Sequence, residues 1–297
     1  MGPQEAALSP NGKRLAFCAS VNEPVQSYTE PDLWVVDLAA DAKPKNLTAA
    51  YDYDVCSGVG GDQGTPRAGG GDRLIWTADG NGVVFKRFYV PVWAAADGSG
   101  KTGFVPAGLV NDFPTSPGPD SDSILAVRVQ PKTAGDIFLM SISGRFPPKP
   151  LLVTSAYEGG AELSPDRHWI LYQSNESGQP EIYVRRYPAL DREWQVSEGG
   201  GVQGRWSSTS REIYYRSGRQ IMSVSLVARG TEPSFGKPTA LFADEYDFGQ
   251  NISIPNYDVT RDGRFIMLRR GTHGSSLRVV TNWTEELKKI VAAGGVH

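Results

Sequence analysis

A short turn followed by an apolar strand recurs along this chain, and the repeat restricts the fold more than any other feature. Its copies are Ser9-Pro10-Asn11-Gly12 before Arg14-Leu15-Ala16-Phe17, Thr77-Ala78-Asp79-Gly80 before Val83-Val84-Phe85, and Pro119-Asp120 before Ile124-Leu125-Ala126. The others are Ser164-Pro165-Asp166 before Trp169-Ile170-Leu171-Tyr172, Ser207 to Ser210 before Glu212-Ile213-Tyr214-Tyr215, and Thr260-Arg261-Asp262-Gly263 before Phe265-Ile266-Met267. The third and fifth copies are degenerate. With Asn11, Asp79, Asp120, Asp166, Thr209 and Asp262 as register marks, the separations are 68, 41, 46, 43 and 53 residues. A four-stranded propeller blade takes roughly 40–45 residues. Six copies predict an all-β, six-bladed β-propeller of antiparallel four-stranded blades. The blades fall at approximately 5–49, 50–109, 110–154, 155–197, 198–243 and 244–283, within one domain spanning 1–297.

Each turn position has a physical reason. Proline presets φ near −65°, Asp or Asn bonds its own backbone, and Gly accepts positive φ, so the chain reverses between two strands. Second strands follow, as in Asp32-Leu33-Trp34-Val35-Val36 and Glu181-Ile182-Tyr183-Val184. Each copy therefore offers a hairpin whose edges only its neighbours can cover. A short helix is expected at 284–293: Thr284 caps it, Glu285 and Glu286 suit its N-terminus, and Leu287, Ile290 and Val291 share one side. That helix follows the third strand of the last blade directly, so the last blade is expected to lack its own fourth strand and the helix to cover its edge. Pro91, Pro106, Pro114 and the run Ala94 to Gly100 mark residues 86–115 as the least regular part.

Ser164-Pro165-Asp166 through Trp169, Gln173-Ser174-Asn175-Glu176-Ser177-Gly178 and Glu181-Ile182-Tyr183-Val184 resemble the TolB-like six-bladed propellers with their WD-related repeat. The stretch from Ile182 to Glu286 is similar to propellers fused behind bacterial serine/threonine kinases. Residues 5–76, with Asp32-Leu33-Trp34, Asn46-Leu47-Thr48 and Tyr51-Asp52-Tyr53-Asp54, look more like the propeller preceding the catalytic domain of prolyl-oligopeptidase-type peptidases. The two halves thus point to different relatives, which fits either a divergent propeller or a truncated or recombined bacterial fragment. The resemblance implies a scaffold that binds a protein segment or small ligand at its channel mouth, in a periplasmic or extracytoplasmic setting. No signal peptide precedes the first repeat, so the compartment stays open.

A net charge of −3 argues against nucleic acid as partner, because such a protein needs a clustered basic face. No apolar run approaches the roughly 18 residues of a membrane span, and a monomer is expected. Two cysteines define no disulfide framework; Cys18, in the first core strand, reads as a small buried hydrophobe. No Gly-x-Ser-x-Gly elbow is present, so serine peptidase activity does not carry over from the peptidase-like half. The Gly-rich run 58–71 lacks the ending of a phosphate loop and reads as a lid over the channel mouth.

The loops leading into the first strands are rich in acids. Asp52, Asp54, Asp62, Asp112, Glu158 and Asp247 lie there, and a propeller brings such loops together on one face. These residues and Arg205 are the candidates for ligand binding. Carboxylates with an imidazole suit a divalent ion, Ca, Mg, Mn or Zn, and Asp52, Asp54, Asp247 and His273 are the candidate metal ligands. That set supports an alternative function, a metal-dependent hydrolase of esters or phosphate esters. Solvated surface acids are the commoner case, and no spacing here has the specificity of a zinc motif. Turn alignment also places Glu162, Arg205 and Asp258 at one position of the fourth, fifth and sixth copies. They are expected to form an ion-pair network facing the channel, with Arg205 able to hold a carboxylate or phosphate.

Overall fold

The structure, a computed structural model, describes residues 6–19, 32–50, 73–87, 90–106, 108, 111–229, 232–246, 248, 253–271 and 274–280. These form antiparallel sheets in sequence order. The first holds β1 (Ala6–Leu8), β2 (Arg14–Ala19), β3 (Asp32–Asp37) and β4 (Lys45–Asn46). The second holds β5 (Ile75–Trp76), β6 (Gly82–Arg87), β7 (Val90–Ala95) and β8 (Thr102–Phe104), and the third β9 (Asp112–Pro117), β10 (Ser123–Arg128), β11 (Asp136–Ser141) and β12 (Lys149–Leu152). The fourth is β13 (Glu158–Leu163), β14 (Trp169–Ser174), β15 (Glu181–Arg186) and β16 (Glu193–Gln195). The fifth comprises β17 (Val202–Trp206), β18 (Glu212–Ser217), β19 (Gln220–Arg229), β20 (Glu232–Phe235) and β21 (Thr239–Ala243); the last comprises β22 (Tyr257–Val259), β23 (Phe265–Gly271) and β24 (Gly274–Val280).

The first strands touch in a closed cycle, β1 to β5 to β9 to β13 to β17 to β22 and back to β1. This is a β-propeller with antiparallel blades. Five sheets reach four or more strands, rather than the six expected, and the last has three among the described residues. The helix expected at 284–293 lies outside the described residues, among which there is no helix.

The recurring turn owes its regularity to a hydroxyl. Ser9, Thr77, Ser164 and Ser207 each accept from the first amide of the following strand, at 2.9, 2.9, 3.0 and 3.0 Å, and Thr260 accepts from Arg264 N, one residue before β23, at 2.9 Å. The same hydroxyl also bonds the side chain two residues on, as Ser164 does to Asp166 Oδ1 at 2.6 Å. The degenerate third copy has Gly118 where the hydroxyl belongs, and Ser123 Oγ reaches back to Asp120 Oδ1 at 2.7 Å instead.

Within 86–115 the described residues include β7, β8 and the start of β9. Pro91 sits near the start of β7, which keeps unbroken register with β6. Pro114 and Pro117 lie in β9, an edge strand whose outer side needs no ladder amide. The cores lie between blades: Leu171, Ile182, Trp206 and Ile213, for example, bring the fourth and fifth sheets together. Indole donors reinforce these seams, with Trp76 Nε1 on Ala7 O at 2.9 Å and Trp206 Nε1 on Glu162 O at 3.2 Å. Cys18 is buried, as read from its strand, but it is also disulfide-bonded, which two cysteines in the sequence did not define. Its partner lies outside the described residues.

Candidate functional site

The first strands carry the functional side chains, each at a fixed offset from its turn. The penultimate residue, two before the hydroxyl that opens the turn, is Glu162 on β13, Arg205 on β17 and Asp258 on β22, as turn alignment implied. Arg205 Nη1 lies 3.1 Å from Glu162 Oε1, and Arg205 Nη2 pairs with Asp258 Oδ1. Asp258 is further held by the amides of Leu8 and Val259, each at 2.9 Å. Burial, and then repulsion from Asp258, push the Glu162 carboxyl well above its ordinary value, against a backbone hydrogen bond at Trp206 that lowers it. Glu162 Oε2 and Arg205 Nε are buried with no hydrogen-bond partner among the described residues.

This network forms the inner wall of a cavity of about 440 Å³. Trp76, Trp206, Leu163 and Pro117 supply apolar walls, while Pro10, Arg167, Ser208 and Arg261 belong to the turns at its mouth. The mouth thus opens on the turn face, opposite the loops where acids were expected to gather. One cause is visible at the other end. Ser253, in the segment leading into β22, reaches the fourth sheet: Gln173 Nε2 donates to Ser253 Oγ at 3.2 Å. Gly160 packs so closely there that a Cβ would lie 2.2 Å from Ser253 O. The segment therefore passes the axial side of the fifth sheet and covers part of that end.

The expected acidic cluster does not assemble from the described residues. Asp112 is fully buried and accepts a two-pronged bond from Arg128, Nε at 2.6 Å and Nη2 at 2.8 Å, an arrangement that holds the guanidinium pKa up. Glu158 is buried in the fourth sheet, accepts from Thr154 Oγ1, and is pushed up by burial. Asp52, Asp54, Asp62, Asp247 and His273, and the glycine-rich run 58–71 expected to form a lid, lie outside the described residues. No group of three His, Cys, Asp or Glu able to hold a metal occurs among the described residues. Arg205 alone of the described candidates lines the cavity. Arg73, Arg167 and Arg261 were missed, because nothing in the repeat pattern shows which arginines, in a turn as Arg167 and Arg261 are or before a first strand as Arg73 is, line a cavity.

No family model matches the chain, and no curated protein sequence matches it. Solved structures do resemble it. TolB from Acinetobacter baumannii superposes with a TM-score of 0.63 at 15% identity, over 92% of this chain and 62% of that one. A Mycobacterium tuberculosis puromycin-hydrolyzing peptidase gives 0.60 at 17% identity, over 96% of this chain and 45% of the peptidase. An oligogalacturonate lyase in complex with manganese gives 0.57 at 12% identity, over 94% and 77%. The chain spans about three fifths of the TolB chain it matches. At these identities the likeness establishes a TolB-like β-propeller fold, and activity has to be argued from the site.

Proposed function

We propose that this chain is a ligand-binding propeller: 1–297 acts as one domain, the three-stranded sheet serves as its sixth blade, and a peptide segment or small molecule enters the axial cavity from the turn face. The observation that carries this reading is the cavity, which joins apolar walls to a convergent charged group, Glu162, Arg205 and Asp258, on the axis of the ring. Its volume falls within the roughly 300–1,000 Å³ of small-molecule sites. Closed cycling of the first strands and the ties from Asp258 to both Arg205 and Leu8 support the count of six blades. An extracytoplasmic site of action is supported by the disulfide at Cys18, since such bonds persist in oxidising compartments. The metal-dependent hydrolase has no observation in its favour among the described residues, where Asp112 and Glu158 are held by Arg128 and Thr154.

Ala78 lines the cavity from the second turn and is partly exposed, so a tryptophan there fills space without disturbing a core. Ligand-observed NMR with a library of short peptides and metabolites, run on wild type and on Ala78→Trp, tests the reading. Binders of the wild type are expected to be lost in the variant. Binders that persist undiminished in a folded Ala78→Trp protein would place the site elsewhere.

A further inference from the structure

The charge of the cavity is opposite to that of the chain. The whole sequence carries −3, yet the cavity is lined by four arginines, Arg73, Arg167, Arg205 and Arg261, and two acids, Glu162 and Asp258, which leaves an excess of two positive charges. Arg205 is spent between the two acids. The other three have no carboxylate partner among the described residues. Arg73 Nη1 donates to Thr115 O at 2.7 Å, Arg167 Nη1 to Pro119 O, and Arg261 Nη2 to Pro10 O at 3.0 Å. Away from the cavity the pattern is mixed: Arg128, Arg185, Arg186 and Arg216 each face an Asp or Glu, whereas Arg14 likewise donates to the carbonyls of Ala96 and Gly80.

Each of the three carbonyls belongs to a neighbouring sheet. A neutral carbonyl orients a guanidinium without cancelling its charge, and uses one of its five N–H donors. The arginines come from the second, fourth and sixth sheets, so they approach the axis from three sides. Apolar walls beneath them raise the field that an anion would feel. On this basis, and resting on the axial-cavity reading above, we propose that the ligand is a small organic anion whose carboxylate or phosphate is recognised by Arg73, Arg167 and Arg261.

Isothermal titration of the full chain with citrate, inorganic phosphate, maltose and spermidine, at low and at moderate salt, tests this. Citrate or phosphate is expected to bind, more weakly as salt rises, with affinity falling about tenfold in Arg73→Gln and in Arg261→Gln, the scale of a charge-assisted hydrogen bond. Ala78→Trp should abolish the binding, and Arg145→Gln, an exposed residue paired with Asp120, should leave it unchanged. Binding of one anion and not the other supports the inference and names the acidic group. Failure of both anions to bind, or equal affinity in the Arg73 and Arg261 variants, overturns it. If maltose or spermidine binds and Ala78→Trp blocks it while the anions do not, the anion inference falls and the cavity reading stands. If none of the four shows binding sensitive to Ala78→Trp, the cavity reading loses its support as well.

Discussion

Arg205 sits where two carboxyls converge, and its removal is the most disruptive single change at the axis. Its side chain is 11% exposed, and those of Glu162 and Asp258 15% and 8%, so solvent replaces little of what Arg205 supplies. Deleting one partner of a buried ionic group costs about 3–5 kcal/mol, because the remaining charge is stranded. Arg205→Met is expected to lose that much in urea unfolding, and the triple variant with Glu162→Gln and Asp258→Asn to recover part of it. A loss below about 1 kcal/mol for Arg205→Met would show the network to be weakly coupled to folding. Glu162 adds a pH dependence. Its carboxyl is raised in the folded protein, so the proton is held more tightly folded than unfolded. The stability it contributes is full below its ordinary value of 4.5 and is lost as pH rises through the higher folded value. Glu162→Gln fixes the neutral form, so its stability advantage over wild type should be small near about pH 4 and grow toward about pH 8. Equal differences at both pH values would contradict this sign.

At the scale of single strands, the hydroxyl-bearing turn and the tight glycine in β13 do different work. Ser164 Oγ joins Trp169 N to Asp166, and Ser164→Ala should cost about 1 kcal/mol, the net worth of a buried hydrogen bond. Gly160 has φ of 58° and faces the Ser253 carbonyl, so Gly160→Ala meets both a strained backbone and a rigid neighbour. A loss of about 2 kcal/mol or more is expected in thermal or urea unfolding. A near-neutral Gly160→Ala would mean that the Ser253 segment gives way easily. The turns were legible in the sequence because Ser/Thr-x-Asp/Asn is a local signal, complete within six residues. The alignment of Glu162, Arg205 and Asp258 was legible for the same reason, as each stands at a fixed offset from its turn. Contacts such as Gly160 with Ser253, or Arg261 with Pro10, join residues far apart in sequence and leave no local mark. Acidity in the sequence is equally silent about partners: Asp112 and Glu158 are held by Arg128 and Thr154, whose approach only folding reveals.

Ring closure governs the molecule as a whole. Every seam between consecutive first strands carries a directed bond from one sheet to the next: Trp76 to Ala7, Arg73 to Thr115, Arg167 to Pro119, Trp206 to Glu162, Arg205 to Asp258, and Arg261 to Pro10. A ring distributes strain so that no sheet keeps its apolar faces covered once a neighbour leaves, unlike an open array whose repeats lean only on those beside them. The disulfide at Cys18 ties down β2 of the first sheet, and its reduction should lower stability by about 2–4 kcal/mol. Thermal melting with and without dithiothreitol measures this, and an unchanged midpoint would show that the bond contributes nothing to the fold. The strongest consequence concerns β22. It contacts both β1 and β17, and Asp258 within it touches the first sheet through Leu8 and the fifth through Arg205. A chain ending at residue 252 should therefore lose more than one blade's share of stability, because two seams open and the faces of the first and fifth sheets are exposed together. Urea unfolding followed by tryptophan fluorescence and by far-ultraviolet circular dichroism is expected to give one cooperative transition for the full chain, and broad, non-coincident transitions for the truncated one. A single sharp transition in the truncated chain, with a slope reduced only in proportion to its length, would instead mean that the remaining five sheets close upon themselves.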